Sequence, residues 1–283
     1  MTWTIRSVLA WAKEYLQDKG IDAPRLDAEV LLSHALGKER IQLYLDMDRP
    51  LSPDELAAYR VLLKRRSGRE PVAYILGSKE FYSHTFLVNP GVLIPRGETE
   101  ILVEKAIELA PSDSAVFELG VGSGAVIISI LLSRPDLAGF GNDTSRKALA
   151  TARENARLHG VSPRLHLYLG ADFHALSGEF STIVANPPYI ALADAGRLQE
   201  DVVRFEPKEA LFAGNDGLDV IREILASVHR NLKPGGRLIL ETGYDQRHEV
   251  EMMIGENREL KKLQWVRDLS GIDRTVIVER ING

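Results

Sequence analysis

Cysteine is absent from this chain, which excludes disulfides, zinc–thiolate sites and thiol nucleophiles and agrees with a reducing compartment. An excess of positive charge is missing as well. The chain sets 35 Lys and Arg against 40 Asp and Glu, for a net charge of -5, so an affinity resting mainly on phosphate contacts is not expected. There is no apolar run of membrane-spanning length, no internal repeat and no low-complexity tract. Met1 to Leu16 contains Arg6, Lys13 and Glu14, and reads as an amphipathic helix rather than a signal peptide. Together these absences point to a cytoplasmic protein that acts without a membrane. The seven histidines lack HExxH-type spacing and Ser123 does not fit a nucleophile elbow, so neither metal nor covalent serine chemistry is expected. What is present is a 283-residue chain, 45% hydrophobic, long enough for one large domain or two unequal ones.

The first seventy or so residues show only helical periodicity. Ile5, Val8, Leu9, Ala12, Tyr15 and Leu16 recur at helical spacing before Gly20, Pro24 opens a second helix ended by Gly37, and a short one is expected around Ile41 to Leu45. Ser52, Pro53 and Glu55 form a capping box for a helix running to Gly68. Lys64, Arg65, Arg66 and Arg69 make the densest basic cluster, which suits either an acidic partner or simply a helix C-terminus. A turn or two of helix to Gly77, a hairpin over Lys79 to Val88 and a turn at Asn89 to Gly91 follow. Ile94 to Arg96 is extended, and Thr99 is expected to cap a helix reaching Ala110.

From Ala115 the pattern becomes alternating strands and helices. Strands are expected at Ala115 to Leu119, Leu137 to Gly141, Leu165 to Leu169, Phe180 to Ala185 and Arg237 to Glu241. Helices are expected at Ser123 to Ser133, Ser145 to His159 and Leu218 to Leu232, with a turn at Lys233 to Gly236. A closing pair of strands covers Leu263 to Leu269 and Thr275 to Glu279. This alternation implies an α/β sheet, mostly parallel with an antiparallel finish, preceded by a small N-terminal helical bundle.

Two stretches carry chemistry. In the first, Gly120, Gly122 and Gly124 follow a buried strand at alternate positions, where the backbone turns tightly and a ligand can lie against it. Asp143 stands at the end of the next strand, where such folds place a carboxylate to accept hydrogen bonds from ribose; it also suits a cap for the following helix. GVGSGA fits the dinucleotide pattern, but Glu118 at the mouth of the loop would repel a pyrophosphate and the loop holds no Lys or Arg to offset it. A cationic nucleoside such as S-adenosylmethionine fits better. In the second stretch, Asn186, Pro187, Pro188 and Tyr189 end a strand abruptly. The prolines remove donors and stiffen the turn, so the Asn186 side-chain oxygen and the Pro187 carbonyl are left to accept both hydrogens of an NH₂ group, with Tyr189 as an aromatic wall. An amide nitrogen is a poor nucleophile, and twisting it while holding it in line with a methyl group is the catalytic task.

These stretches, with REPVAYILG, FYSHTFLVNPGVLIPRGETE, RFEPKEALFAGNDGLD, LKPGGRLILETG and DLSGIDR, give the chain a resemblance to the HemK/PrmC-type release factor glutamine methyltransferases. The resemblance implies a Rossmann-like S-adenosylmethionine-dependent methyltransferase domain over 99–283, a hairpin linker over 77–98 and a partner-binding bundle over 1–76. It implies a monomer that methylates the glutamine of the Gly-Gly-Gln motif in class-1 peptide chain release factors, with no direct need of nucleic acid. Carried onto this sequence, Glu118, Gly120, Val121, Gly122, Ser123 and Gly124 line the cofactor with Asp143 on its ribose, Asp172 and Phe173 on the adenine, and Asn186 beside both ligands. Asn186, Pro187 and Tyr189 are the catalytic residues, and with Pro188 they receive the glutamine. The chain departs from the family pattern at Gly97, Glu118 and Ser181. Asn-Pro-Pro-Tyr is shared with adenine amino methyltransferases of nucleic acids, the main rival reading, and a non-catalytic adaptor is the second. Glu241 either faces the site from its strand end or sits in solvent.

Overall fold

The computed structural model describes residues 2–171 and 178–281. Its amino-terminal helices begin where the side chains can satisfy free N–H groups. Thr4 and Ser7 cap α1 (Ile5–Asp18) reciprocally, Pro24 opens α2 (Pro24–Leu36), and Gly37 ends it with φ +60°. After α3 (Arg40–Leu45), Ser52 Oγ accepts from Glu55 N at 3.2 Å and Glu55 Oε2 accepts from Ser52 N at 2.8 Å, starting α4 (Pro53–Ser67). The short α5 (Val72–Leu76) completes this part. Ile5, Ala12, Leu16, Leu31, Leu32, Leu43 and Tyr59 form its core.

The second part follows in chain order with β1 (Ser78–Phe81) and β2 (His84–Leu87), an antiparallel hairpin. It continues through α6 (Glu100–Leu109), β3 (Ala115–Leu119), α7 (Ala125–Ser133), β4 (Ala138–Asp143), α8 (Arg146–Leu158), β5 (Leu165–Leu169) and β6 (Phe180–Ala185). Beyond α9 (Glu200–Phe205) come α10 (Asp219–Ser227), β7 (Leu232–Glu241), α11 (Arg247–Glu256), β8 (Leu260–Arg267) and β9 (Asp273–Arg280). The chain divides into two units: one takes the residues up to Gly77 together with Gln199–Phe205, the other Ser78–Leu198 and Glu206 onward.

Within the first unit the basic cluster is internally paired. Arg65 binds Glu70 at 2.6 Å, Arg69 binds Glu200 at 3.1 Å, and the buried Arg66 reaches Asp27 at 2.6 Å and Asp201 at 3.3 Å. Most of its charge is therefore spent holding the unit together.

The seven strands of the large sheet run in the order β5-β4-β3-β6-β7-β9-β8, with every pairing parallel except the antiparallel ones that β9 makes with β7 and β8. Its side chains alternate between two cores. Val116, Val184 and Ile239 face one, while Phe117, Ile183 and Leu238 face the other. The order reverses at β3, where β4 and β5 lie to one side and β6 to the other, and such a switch opens a crevice beyond the strand ends. Leu119 is in register with Asn142 and Ala185, and Ala185 with Leu240. Gly120, Asp143, Asn186 and Glu241 thus leave adjacent strands at one level.

Four sequence expectations need correction. Thr99 does not cap α6: it closes a 3-10 turn (Gly97–Thr99) in right-handed helical geometry and makes no capping bond. The helix expected to reach Leu232 stops at Ser227 and passes through a 3-10 turn (Val228–Arg230), because Leu232 is already fully buried in β7. The turn expected at Lys233 to Gly236 is absorbed into β7 as a bulge, with register jumping from Phe180↔Leu232 to Thr182↔Arg237. The helix α11 is not among the elements expected from the sequence. Only Val250 and Ile254 are buried along it and its start has no side-chain cap, so both usual signals are faint.

Candidate active site

Each parallel strand ends in a residue that the next turn puts to use. After β3 the loop carries Gly120, Gly122 and Gly124 with φ of +75°, +52° and +81°, conformations in which a side chain would be strained. Gly120 N and Val121 N both donate to the Asn142 carbonyl, at 3.1 and 2.9 Å. Asp143 Oδ2 accepts from Gly122 N at 2.9 Å and Oδ1 from Ser145 N at 2.8 Å. The carboxylate therefore braces the loop and leads into α8, whose cap is Ser145. Burial raises the Asp143 pKa against these two bonds.

Glu118, expected at the loop mouth, is withdrawn to 3% exposure. Its Oε2 accepts from Ile127 N at 3.0 Å, which places the carboxyl on a free donor in the first turn of α7. Burial, with Asp143 close by, lifts its pKa well above the usual carboxylate range.

A cavity of about 290 Å³ opens over these strand ends. Of the sequence-predicted residues, Glu118, Gly120, Val121, Gly122, Ser123, Asp143, Asn186, Pro187 and Pro188 line it. Gly124 instead serves packing, since a Cβ there would meet Ile128 Cδ1 at 2.9 Å. Tyr189 is not in the lining: it packs beside the second core and its hydroxyl donates to Glu241 Oε1 at 3.2 Å. Asp172 and Phe173 lie outside the described residues.

Several contributors carry no local signal in the sequence. Thr99, Arg96, Phe81 and Glu209 also line the cavity. Arg96 Nη2 donates to the buried Glu206 Oε1 at 2.6 Å, and Ile94 N donates to Glu206 Oε2 at 3.2 Å. Glu206 of the FEP sequence thereby fixes the IPR segment along the cavity wall. The signal was present in two polar motifs far apart in the chain, but only the fold pairs them. Glu241 is 1% exposed rather than solvated.

The lining favours a cationic guest. Asp143, Glu209 and Glu223 contribute carboxyls beyond the withdrawn Glu118, and Arg96 is the one Lys or Arg among the described lining residues. A ligand carrying an ammonium and a sulfonium meets attraction here, while a pyrophosphate would meet repulsion. Open loop glycines on one side and an Asn-Pro turn on the other suit S-adenosylmethionine beside a second, polar reactant. Among the described residues no group of three or more His, Asp or Glu is placed to hold a metal ion, and no helix is long and apolar enough to cross a membrane.

The packing behind the loop gives one expected result. A Cβ added at Gly141 would lie 3.0 Å from the Glu118 carbonyl oxygen and closer still to Val121 Cγ1. Gly141→Ala should therefore push Val121 outward and cost about 1–3 kcal/mol of stability. It should also raise the Kd for S-adenosylmethionine, read by calorimetry; an unchanged Kd would separate this loop from cofactor binding.

The chain resembles known proteins along nearly its whole length. Residues 7–77 match the family model described as PrmC N-terminal domain, and residues 96–205 match that of the methyltransferase small domain. A release factor glutamine methyltransferase from Geobacter sulfurreducens is 44% identical over 97% of this chain and 96% of its own length. One from Caulobacter vibrioides is 40% identical over 97% and 96% respectively. The solved ribosomal protein L11 methylase of Lactobacillus delbrueckii subsp. bulgaricus is 20% identical, covers 69% of this chain and 84% of that one with a TM-score of 0.51, and bears on the fold alone.

Proposed function

This chain belongs to the release factor glutamine methyltransferases, and from that premise and the cavity we propose that it methylates the side-chain amide nitrogen of the glutamine in the Gly-Gly-Gln motif of class-1 peptide chain release factors. When bound, S-adenosylmethionine supplies a methyl group made electrophilic by its sulfonium. The residues to hold it are Gly120 to Ser123, with Asp143 toward the ribose and Glu118 toward the cationic end. Asp172 and Phe173 are proposed beside the adenine.

The observation that carries the acceptor side is the Asn186 amide. Its Nδ2 donates to Thr99 Oγ1 at 3.0 Å, so Oδ1 remains to accept from a guest in the cavity that Asn186 lines together with Pro187. Pro187 follows Asn186 in the cavity lining, and its carbonyl is the second acceptor in this proposal. Two oxygens taking the two hydrogens of a carboxamide NH₂ hold the nitrogen in place and favour its pyramidal form. Held in this way, the amide nitrogen would present its electron pair to the methyl group that a bound S-adenosylmethionine would supply, and its surplus proton would be lost afterwards, so these residues need not act as a general base. Tyr189 supports this turn from behind through its buried hydroxyl. The bundle is proposed to engage the release factor.

Incubation with methyl-labelled S-adenosylmethionine and a purified class-1 release factor tests the reading. Label is expected on the glutamine that follows the two glycines, and none after that glutamine is replaced. Transfer to an oligonucleotide and not to the release factor would overturn it.

A further inference from the structure

Behind Asn186 lies a chain of buried polar groups that the transfer itself does not use. Thr99 is 4% exposed and Glu241 1%. Asn186 Nδ2 donates to Thr99 Oγ1, and the Tyr189 hydroxyl donates to Glu241 Oε1. The Thr99 hydroxyl also faces the Glu241 carboxyl, and it and the Tyr189 hydroxyl favour the charged form. Glu241 Oε2 is buried with no hydrogen-bond partner among the described residues.

The direction of this chain follows from counting protons. A threonine hydroxyl has one proton to give, and an ionised carboxylate can only accept. With Glu241 charged, the Thr99 proton is committed to it, and Thr99 can only accept from its other neighbour. That neighbour must then present NH₂, which turns the Asn186 oxygen toward the cavity. A neutral carboxyl has a proton of its own to donate, and the chain loses its one-way character. Asn186 could then present NH₂ to the cavity, where it would meet the NH₂ of a substrate amide donor to donor.

We propose that Thr99 and Glu241 are positioning residues which set which end of the Asn186 amide faces the acceptor, and thereby make the site accept a carboxamide NH₂. The inference rests on the reading above that a glutamine amide is the acceptor. The groups facing Glu241 are Thr99 and Glu98 from the turn before α6, Tyr189 after β6, and Arg274 from β9. Arg274 favours the charge and Glu98 opposes it, while burial outweighs both and pushes the pKa up to about 7. Weakly acidic conditions should therefore erode the orientation of Asn186.

Steady-state methylation of release factor by the full chain, with the affinity for S-adenosylmethionine measured in parallel, tests this. Thr99→Val keeps the shape and removes the hydroxyl; it should lower kcat about 100-fold with little change in cofactor affinity, and Thr99→Ser should recover most of that loss. Between about pH 6 and 9 the wild-type rate should climb along a limb, and Glu241→Gln should flatten it. The limb should be centred near pH 7, where Glu241 titrates. Thr99→Val as fast as Thr99→Ser, or a limb that survives in Glu241→Gln, would overturn the proposal. Inactivity of the wild type toward release factor would instead remove the reading beneath it. Cofactor affinity shows that each variant is folded, and Glu241→Gln keeps the question open to measurement if Thr99→Val is not.

Discussion

Asn186→Ala is expected to lower kcat for release factor methylation about 100- to 1,000-fold, the scale of losing one oriented polar contact at a reacting centre. The affinity for S-adenosylmethionine should change little. The asymmetry comes from how the residue is built in. Asn186 follows the last residue of β6, and its backbone position is set by the ladder that pairs Ala185 with Leu119 and Leu240. Truncating the side chain therefore leaves the turn where it is and removes one of two acceptors, with the Pro187 carbonyl remaining. A single acceptor still binds an amide but does not fix its rotation about the C–N bond. The groups proposed for the cofactor lie along β3 and β4, with Asp143 braced on Gly122 and Glu118 on Ile127. Rapid-mixing kinetics and calorimetry on the same preparation distinguish the two effects. A parallel collapse of cofactor affinity would mean that Asn186 serves the donor and not the acceptor.

Glu241→Gln should make the protein more stable above about pH 8 and leave it unchanged near about pH 5. The carboxyl is fully buried, and its folded pKa lies near 7 against an ordinary 4.5. The folded chain therefore retains a proton that the unfolded chain releases between those two values. Unfolding gives up that proton, so the contribution of this group to stability falls as pH rises from 4.5 to 7 and then levels off. The full difference is about 3 kcal/mol, at 1.36 kcal/mol for each decade of proton affinity. Glutamine cannot ionise and avoids that cost while keeping much the same shape. Urea unfolding at the two pH values, with hydrogen exchange of β7 amides to localise the change, is the measurement. Equal stability at both pH values would mean that the carboxylate is well solvated in place. A side chain that costs stability at neutral pH and yet sits against the acceptor turn is the pattern expected of a group kept for function.

Much of the fold could be read from the sequence because its signals are local. Ala115–Leu119, Leu165–Leu169 and Phe180–Ala185 are short apolar runs bounded by turn residues, and each is a strand with those limits. Pro24 and Gly37, and the Ser52–Glu55 box, mark helix ends through chemistry confined to a few residues. Bulges and cryptic helices are different. Lys233 to Gly236 has the composition of a turn, and only pairing with β6 carries the strand through it. The site divides in the same way. Gly120 to Ser123, Asp143 and the Asn-Pro-Pro turn announce themselves in sequence. Thr99 misled because a threonine before a helix ordinarily caps it, whereas here the preceding 3-10 turn directs the hydroxyl to Asn186. Glu206 and Glu241 resemble surface acids in the sequence, and only the packing of distant segments around them reveals their partners.

The common level at which four neighbouring strands finish has one more consequence. Strands in a sheet are about 4.8 Å apart, so the spacing between the groups proposed to seat the donor and those proposed to seat the acceptor is set by main-chain geometry rather than by flexible side chains. The sheet acts as a ruler between two exchangeable fittings. A different tetrapeptide at the tip of β6 would present other groups at the same separation from the glycine loop after β3, which would keep its place.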